Sequence, residues 1–373
     1  MDLEPRAGET EPTPPAHASA EHHVRASKWR ILLRVVFMLV TAIALYGVLP
    51  SLVAVFSEAP KLFEVNPFWL IGIVICQIGA FVCVWWLTRI AIPHVTWFIA
   101  ATSQLVSNAV SRLVPGGAAV GTAVGWRMLA VSGIDRAQAG TAIAATSLLS
   151  NGVLFAIPLV AVVGSILGAP IPRELTALAW GGAIVFVLLF VFAFVIVRFD
   201  RPLQAFGRAV ERIARPIYAR LRKDNPPTAE GVVRQRDQIV GALGARWEQA
   251  LLASVGNWLM DYLALVCALY AVGARPKLSL VLLAFGVGAV AGMIPITPGG
   301  LGFVEAGLVG TLALAGISGD QALLATLAYR IVSYWLPMLA GLGAWISFRH
   351  RYGHPPPEGA DVSPVTHATS PSG

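Results

Sequence analysis

The sequence predicts an all-α polytopic helical membrane protein, with about eight long spans and two short Pro-Gly-Gly half-helices arranged as an inverted repeat. Three observations carry that reading. Of 373 residues, 56% are hydrophobic and only 13% charged, whereas a soluble domain carries roughly 25% charged residues. The apolar residues come in runs of about 20, the length that crosses a bilayer core as helix. A Pro-Gly-Gly tripeptide also occurs twice, at 115–117 and 298–300, with related sequence after each copy. This composition excludes an ordinary soluble globule, a disordered chain and a disulfide-rich scaffold.

Along the chain, residues 1–26 are rich in Pro, Glu, Ala, Thr and His and read as a disordered cytoplasmic tail. Arg25, Lys28, Arg30 and Arg34 then lead into an apolar run with no cleavage pattern, so an uncleaved first span is expected. Long spans are placed at about 31–56, 67–91, 94–113, 138–167, 175–198, 247–272, 278–296 and 321–348. Two shorter pieces, 118–132 and 301–315, would reach only about 22 Å as helix, short of a bilayer core of roughly 30 Å. Trp29, Trp69, Trp97, Trp247 and Trp345 sit near the ends of runs, as interfacial tryptophans do. Residues 350–373 read as a second disordered tail. Cys76, Cys83 and Cys267 fall inside apolar runs and read as packing residues.

The repeat supplies the topology. Laying 115–150 over 298–333 without a gap gives 13 identities in 36 positions, among them both Pro-Gly-Gly runs, Gly133-Ile134 with Gly316-Ile317, and Gln138 with Gln321. The copies extend over about 66–165 and 249–348, inside a membrane domain of 27–349. Residues 198–246 hold eleven of the 27 basic residues against five acidic ones, so 199–246 reads as a cytoplasmic loop facing anionic lipid. With both tails and that loop cytoplasmic, each half needs an even number of crossings. The long spans give five and three. Counting each short helix as a crossing restores parity and puts the two turns near opposite faces of the membrane.

A Pro-Gly-Gly turn opening a short helix has two readings. Pro and Gly make the break and the close packing that a hairpin needs. Alternatively the helix N-terminus, with free N–H groups and a positive dipole end, receives an anion. The candidate substrate-binding residues are therefore Gly116, Gly117, Gly299 and Gly300 at the turns, with Arg127, Glu305 and Arg330 as ionisable partners. Glu305 lies in the first turn of the second half-helix, and Arg330 in the span that follows. The pair reads either as a lock on the hairpin or as a gate. Arg112 and Arg127 bracket the first turn. Asp261 reads as a hydrogen-bonded core residue or a proton carrier. There is no Walker loop, metal cluster or serine-nucleophile elbow, so neither enzymatic activity nor a cofactor is expected.

The run Ile294-Pro295-Ile296-Thr297-Pro298-Gly299-Gly300-Leu301-Gly302-Phe303-Val304-Glu305 strongly resembles the signature of the lysylphosphatidylglycerol synthase transmembrane-region family, the flippase-like domain proteins. Gly316, Ala322, Arg330, Pro337 and Gly341 continue the pattern, and Leu113-Val114-Pro115-Gly116-Gly117 resembles the family's more variable first segment. The resemblance covers roughly 30–348 and implies a domain that moves or accommodates lipids. In the best-known members that domain is fused to a cytoplasmic aminoacyl transferase. No stretch of these 373 residues suits such a domain, so lysyl transfer is not implied. The expected function is translocation of an anionic amphiphile, a phospholipid or a polyprenyl-phosphate-linked sugar, across a bacterial cytoplasmic membrane. The alternative is a non-transporting subunit supporting a cytoplasmic glycosyl- or aminoacyl-transferase. The expected partners are thus a membrane lipid and such a transferase, with no nucleic acid. In the first copy Thr122 stands where Glu305 does and Ser147 where Arg330 does, so the charged pair is present once.

Overall fold

The apolar runs downstream of residue 66 fold as helix, because a backbone in an apolar setting must satisfy its own N–H and C=O groups. The computed structural model describes residues 67–113, 117–167, 173–220, 228–293 and 297–353. The expected tail 1–26, the expected span 31–56 and Gly116 lie outside the described residues. The helices are α1 (Pro67–Ala91), α2 (Trp97–Leu113), α3 (Gly117–Val131), α4 (Arg136–Leu167), α5 (Arg173–Arg198), α6 (Asp200–Arg220) and α7 (Ala229–Leu243). They continue as α8 (Trp247–Ala271), α9 (Leu278–Ala291), α10 (Phe303–Leu314), α11 (Gly319–Arg330) and α12 (Leu336–Tyr352). A π-helical segment, Ile331–Trp335, joins α11 to α12 into one long span. Among the described residues, five helices are long and apolar enough to cross a membrane.

Two boundaries differ from expectation. The described residues of 199–246, expected as a loop, form α6 and α7, which pack against each other. Helix α12 runs to Tyr352, three residues into the stretch expected as tail. Its last turn carries Arg349, His350 and Arg351, and basic groups there favour the negative end of the helix dipole.

The halves meet along α1 and α8. Trp69 stacks on Tyr270 at 5.1 Å. Gly72 faces Cys267, Gly79 faces Met260 and Gly256 faces Cys83. Rising numbers on one helix meet falling numbers on the other, so the first helices of the two copies are antiparallel and the repeat is inverted. Exchanging the copies preserves the other pairings: α2 packs on α12, and α4 on α9. The copies also turn alike. Gly133 and Gly316 adopt φ of 90° and 89°, a left-handed region where glycine carries no steric penalty. At both corners the following Ile N–H returns to a carbonyl five residues back, Leu129 or Leu312. Asp135 and Ser318, 183 positions apart, then cap α4 and α11 through their side chains.

Helices α2 and α3 form one hairpin, and α9 and α10 another. Their members have 17, 15, 14 and 12 residues, about 18–26 Å of helix each. The first hairpin is zipped by glycines. Gly117, Gly121 and Gly125 of α3 lie against Ser111, Ser107 and Ser103 of α2, and Ser107 Oγ donates to the Gly121 carbonyl at 2.7 Å. Such small-residue rows let two backbones approach closely.

The hairpins enter the bundle from opposite ends. At one end the α1–α2 connection (Ile92, Val95), Leu129, Ala139, Leu243 of α7 and Tyr352 of α12 cluster together. At the other end Ala274, Ile317 and Ala322 join the main core, and Gln321 donates to the Val272 carbonyl at 3.3 Å. The turns do not sit on opposite faces, as crossing half-helices would require. Gly117 and Gly299 line one cavity in the interior. The physical reason is that α2, expected as a full span, is itself short, so α2 and α3 go in and come back together. With both hairpins returning to their own ends, the crossings number four and two when the expected span 31–56 is included. The parity that the sequence demanded is met without a crossing half-helix.

Single cysteines at Asp135 and Ser318, in an otherwise cysteine-free chain, are expected to label with a membrane-impermeant maleimide from opposite sides. Labelling of both from one side would overturn the inverted arrangement.

Candidate functional site

Both hairpin tips border a cavity of about 440 Å³. Gln77 and Phe81 of α1, Gln104, Asn108 and Arg112 of α2, and Gly117 at the start of α3 form part of its wall. Facing them are Asp261 of α8, Gly299 of the second tip, and Tyr329 and Arg330 of α11. Antiparallel α1 and α8 bring Gln77 and Asp261 together near mid-length, and the short hairpins end at that level.

The chemistry centres on Tyr334, in the π-helical segment just after Arg330. Its ring lies between two guanidiniums, Arg112 at 4.7 Å and Arg330 at 4.5 Å from the ring centroid. Each such contact is worth roughly 0.5–2 kcal/mol, more when desolvated. The Tyr334 hydroxyl donates to the Arg112 backbone carbonyl at 3.0 Å, tying the first hairpin near its tip to the last span. Arg330 and Tyr334, four residues apart, lie on one side of this span.

Arg330 Nε donates to Glu305 Oε1 at 2.6 Å, with the two side chains only 10% and 14% exposed. Glu305 Oε2 accepts from the Gly302 N–H at 2.6 Å, and Arg330 reaches the Gly299 carbonyl at 3.4 Å. One carboxylate thus closes the start of α10 and neutralises the guanidinium that holds the tip. Gly299 has φ of 58°, and a Cβ there would overlap the Tyr334 ring. Gly300, at φ 70°, lies against the Gly292 backbone. No side chain fits either place.

The structure therefore brings together Gly117, Gly299, Gly300, Glu305 and Arg330 at or beside the cavity. Arg127 stands apart. It is exposed on α3, ten residues from Gly117, or about 15 Å along the helix, toward the end where α3 meets α4. The second tip also differs from a free helix N-terminus: α10 begins at Phe303, and the Glu305 carboxylate already sits at that end, accepting from the N–H of the capping residue Gly302. Sequence reasoning missed Tyr334, Tyr329, Gln77 and Asn108. A polar residue at mid-span was the available signal for Gln77 and Asn108. For Tyr334, an aromatic residue in an apolar run reads as core.

Removing one partner of a buried ion pair costs roughly 3–5 kcal/mol. Glu305→Ala and Arg330→Met are each expected to lower the thermal midpoint in detergent, and the double variant is expected to lose far less than the sum of the two single effects. Strict additivity in that cycle would show that the pair does not hold the tip.

Curated relatives support the membrane reading. Three UPF0104 membrane proteins of Methanothermobacter thermautotrophicus are similar to the chain: 39% identical over 95 residues (26% of this chain and 27% of the relative), 32% over 96 residues (26% and 28%) and 29% over 87 residues (23% and 26%). The chain thus matches little more than a quarter of the length of each. The broader match is to a family profile described as "Lysylphosphatidylglycerol synthase TM region", over residues 31–341. That stretch takes in both hairpins, the α1–α8 seam and the cavity, and the chain is a multi-pass membrane protein belonging to the lysylphosphatidylglycerol synthase transmembrane-region family.

Proposed function

We propose that the protein is a flippase-like transporter of the bacterial cytoplasmic membrane that passes an anionic headgroup through the cavity between its two hairpin tips. One observation carries this reading. The Arg112 guanidinium borders the cavity and rests on Tyr334, but among the described residues no carboxylate stands within ion-pairing distance of it. A cation at that depth is costly without a partner. A phosphate supplies one, because its oxygens match the guanidinium fork. The cavity volume falls within the range of small-molecule sites and suits a headgroup, with the acyl or polyprenyl tail left in the lipid. The substrate class is a phospholipid or a polyprenyl-phosphate-linked sugar, and family membership supports a lipid-handling role.

Orientation follows from charge. The end that gathers the α1–α2 connection, α7 and the close of α12 carries the basic residues Arg89, Arg136, Arg246, Arg349 and Arg351, whereas the other end has Arg173, Arg275 and Lys277 among the described residues. The positive-inside bias supports a cytoplasmic position for the first end. The first hairpin then enters from the cytoplasm and the second from outside, so the cavity is flanked by one tip from each side. Glu305 and Arg330 shape the wall and fix the second tip, and Arg112 receives the anion.

The test is movement of fluorescent phosphatidylglycerol, and separately of a polyprenyl phosphate, between leaflets of proteoliposomes. The wild type is expected to move at least one probe. Loss of a charged hydrogen bond predicts that Arg112→Gln slows movement about tenfold to a hundredfold, while Arg112→Lys keeps part of the rate because it keeps the charge. Wild-type rates in Arg112→Gln would sink the site assignment. If the folded wild type moves neither probe, the reading of a non-transporting subunit for a cytoplasmic transferase takes its place. The docking surface would then be α6 and α7, where Arg201, Arg208 and Arg212 are exposed.

A further inference from the structure

Asp261 is a second acidic group at the cavity, and the headgroup contact does not use it. It lies on α8, where α8 crosses α1, and no guanidinium reaches it within ion-pairing distance among the described residues. Its two hydrogen bonds both end on one oxygen: Gln77 Nε2 donates to Oδ1, and the Tyr329 hydroxyl donates to Oδ1 at 2.9 Å. Oδ2 takes no hydrogen bond among the described residues, and the residue borders the cavity.

The charges around it decide what that oxygen can do. From α2 comes Arg112, and from α11 come Tyr329 and Arg330, the latter neutralised by Glu305 of α10; Tyr334 of the π-helical segment lies between the two guanidiniums. Helix α1 brings only the neutral Gln77. Helix α9 has no titratable residue, and α4 has one, Arg136, at its first position. Among the described residues at the cavity, two guanidiniums therefore stand against two carboxylates, and Asp261 is the carboxylate left to balance Arg112. An incoming phosphate meets an unpaired negative charge in the same low-dielectric cavity. One proton on Asp261 removes that repulsion and leaves Arg112 to the anion.

Resting on the reading of the cavity as an anion path, we propose that Asp261 Oδ2 is a proton-carrying site, and that the headgroup crosses together with one proton. The step is simple in balance. The carboxylate takes a proton from the side on which the anion enters, and gives it up on the side where the anion leaves. Cavity charge is then the same with the anion and proton bound together as with both absent. The Gln77 and Tyr329 donors hold Oδ1 in place through both states.

Proteoliposomes carrying fluorescent phosphatidylglycerol, or in a second set a labelled polyprenyl phosphate, in the outer leaflet and a pH-sensitive dye inside test this directly. The wild type is expected to move lipid several-fold faster down an imposed proton gradient than without one, with dye acidification that follows the lipid. Asp261→Asn keeps an oxygen for Tyr329 and Gln77 to donate to but carries no proton. It is expected to lose the response to the gradient and the accompanying acidification. Wild-type movement indifferent to the gradient, with no acidification, overturns the proposal while leaving the transporter reading intact. A gradient response that persists in folded Asp261→Asn overturns the assignment to Asp261. Absence of any wild-type lipid movement is failure of the transporter reading itself. The wild-type dye record decides on proton coupling even if the variant does not fold.

Discussion

The crossing of α1 and α8 is the constraint on which the other positions depend. Two antiparallel 25-residue helices approach closely because glycine alternates with bulk along the seam: Gly72 under Cys267, Gly79 under Met260 and Gly256 under Cys83. In a bilayer no hydrophobic gain drives two apolar helices together, so close packing and hydrogen bonds must do it. The Gln77–Asp261 bond supplies a polar link across the seam near its middle. Once the seam is fixed, each copy's hairpin folds back along its own first helix, as the Gln104–Thr88 bond at 3.1 Å shows for α2 against α1. The two tips then have no place to end but opposite each other.

On this symmetric frame the chemistry is one-sided. The corners repeat in detail, with Gly133 matched by Gly316 and Asp135 by Ser318. The charges do not: Thr122 stands for Glu305, Ser147 for Arg330 and Asn151 for Tyr334. Thr122 spends its hydroxyl on the Ala118 carbonyl within its own helix, so it does not take the part that the Glu305 carboxylate takes at the second tip. Inversion of the scaffold supplies two routes into the centre. Loss of symmetry in the side chains leaves a single cation, Arg112, on the first tip's side and a neutralised pair on the other.

Much of this was legible in the sequence, and the exceptions have physical causes. Helix ends such as 67 and 91 follow from where apolar runs start and stop, and the repeat follows from residues that make the same turn twice. The meeting of the tips was hidden by α2. A 17-residue helix with several Ser, Thr and Asn residues lies at the margin between a span and half of one, and hydropathy alone does not separate the two. Helices α6 and α7 were hidden by their charge, which drew the reading toward a loop even though Leu203 and Phe206 recur three apart. The Arg112–Tyr334 contact joins residues 222 positions apart, and no local pattern announces it.

Irregular backbone at this depth is tolerated only where protein or a lined cavity satisfies it, and that requirement limits what Glu305 and Arg330 can be asked to do. The second tip meets it group by group. The Gly300 N–H donates to the Thr297 carbonyl, and the Thr297 hydroxyl to the Leu301 carbonyl at 2.9 Å. The Gly302 N–H goes to Glu305, and the Gly299 carbonyl to Arg330. The charged pair is thus part of the tip's own hydrogen bonding before it is part of any transport path. Loss of activity on changing Arg330 reports first on the tip. Arg112 answers no such need through its side chain, since the bond to Tyr334 uses its backbone carbonyl. Its guanidinium is therefore the place where a structural role and a role toward an anion come apart.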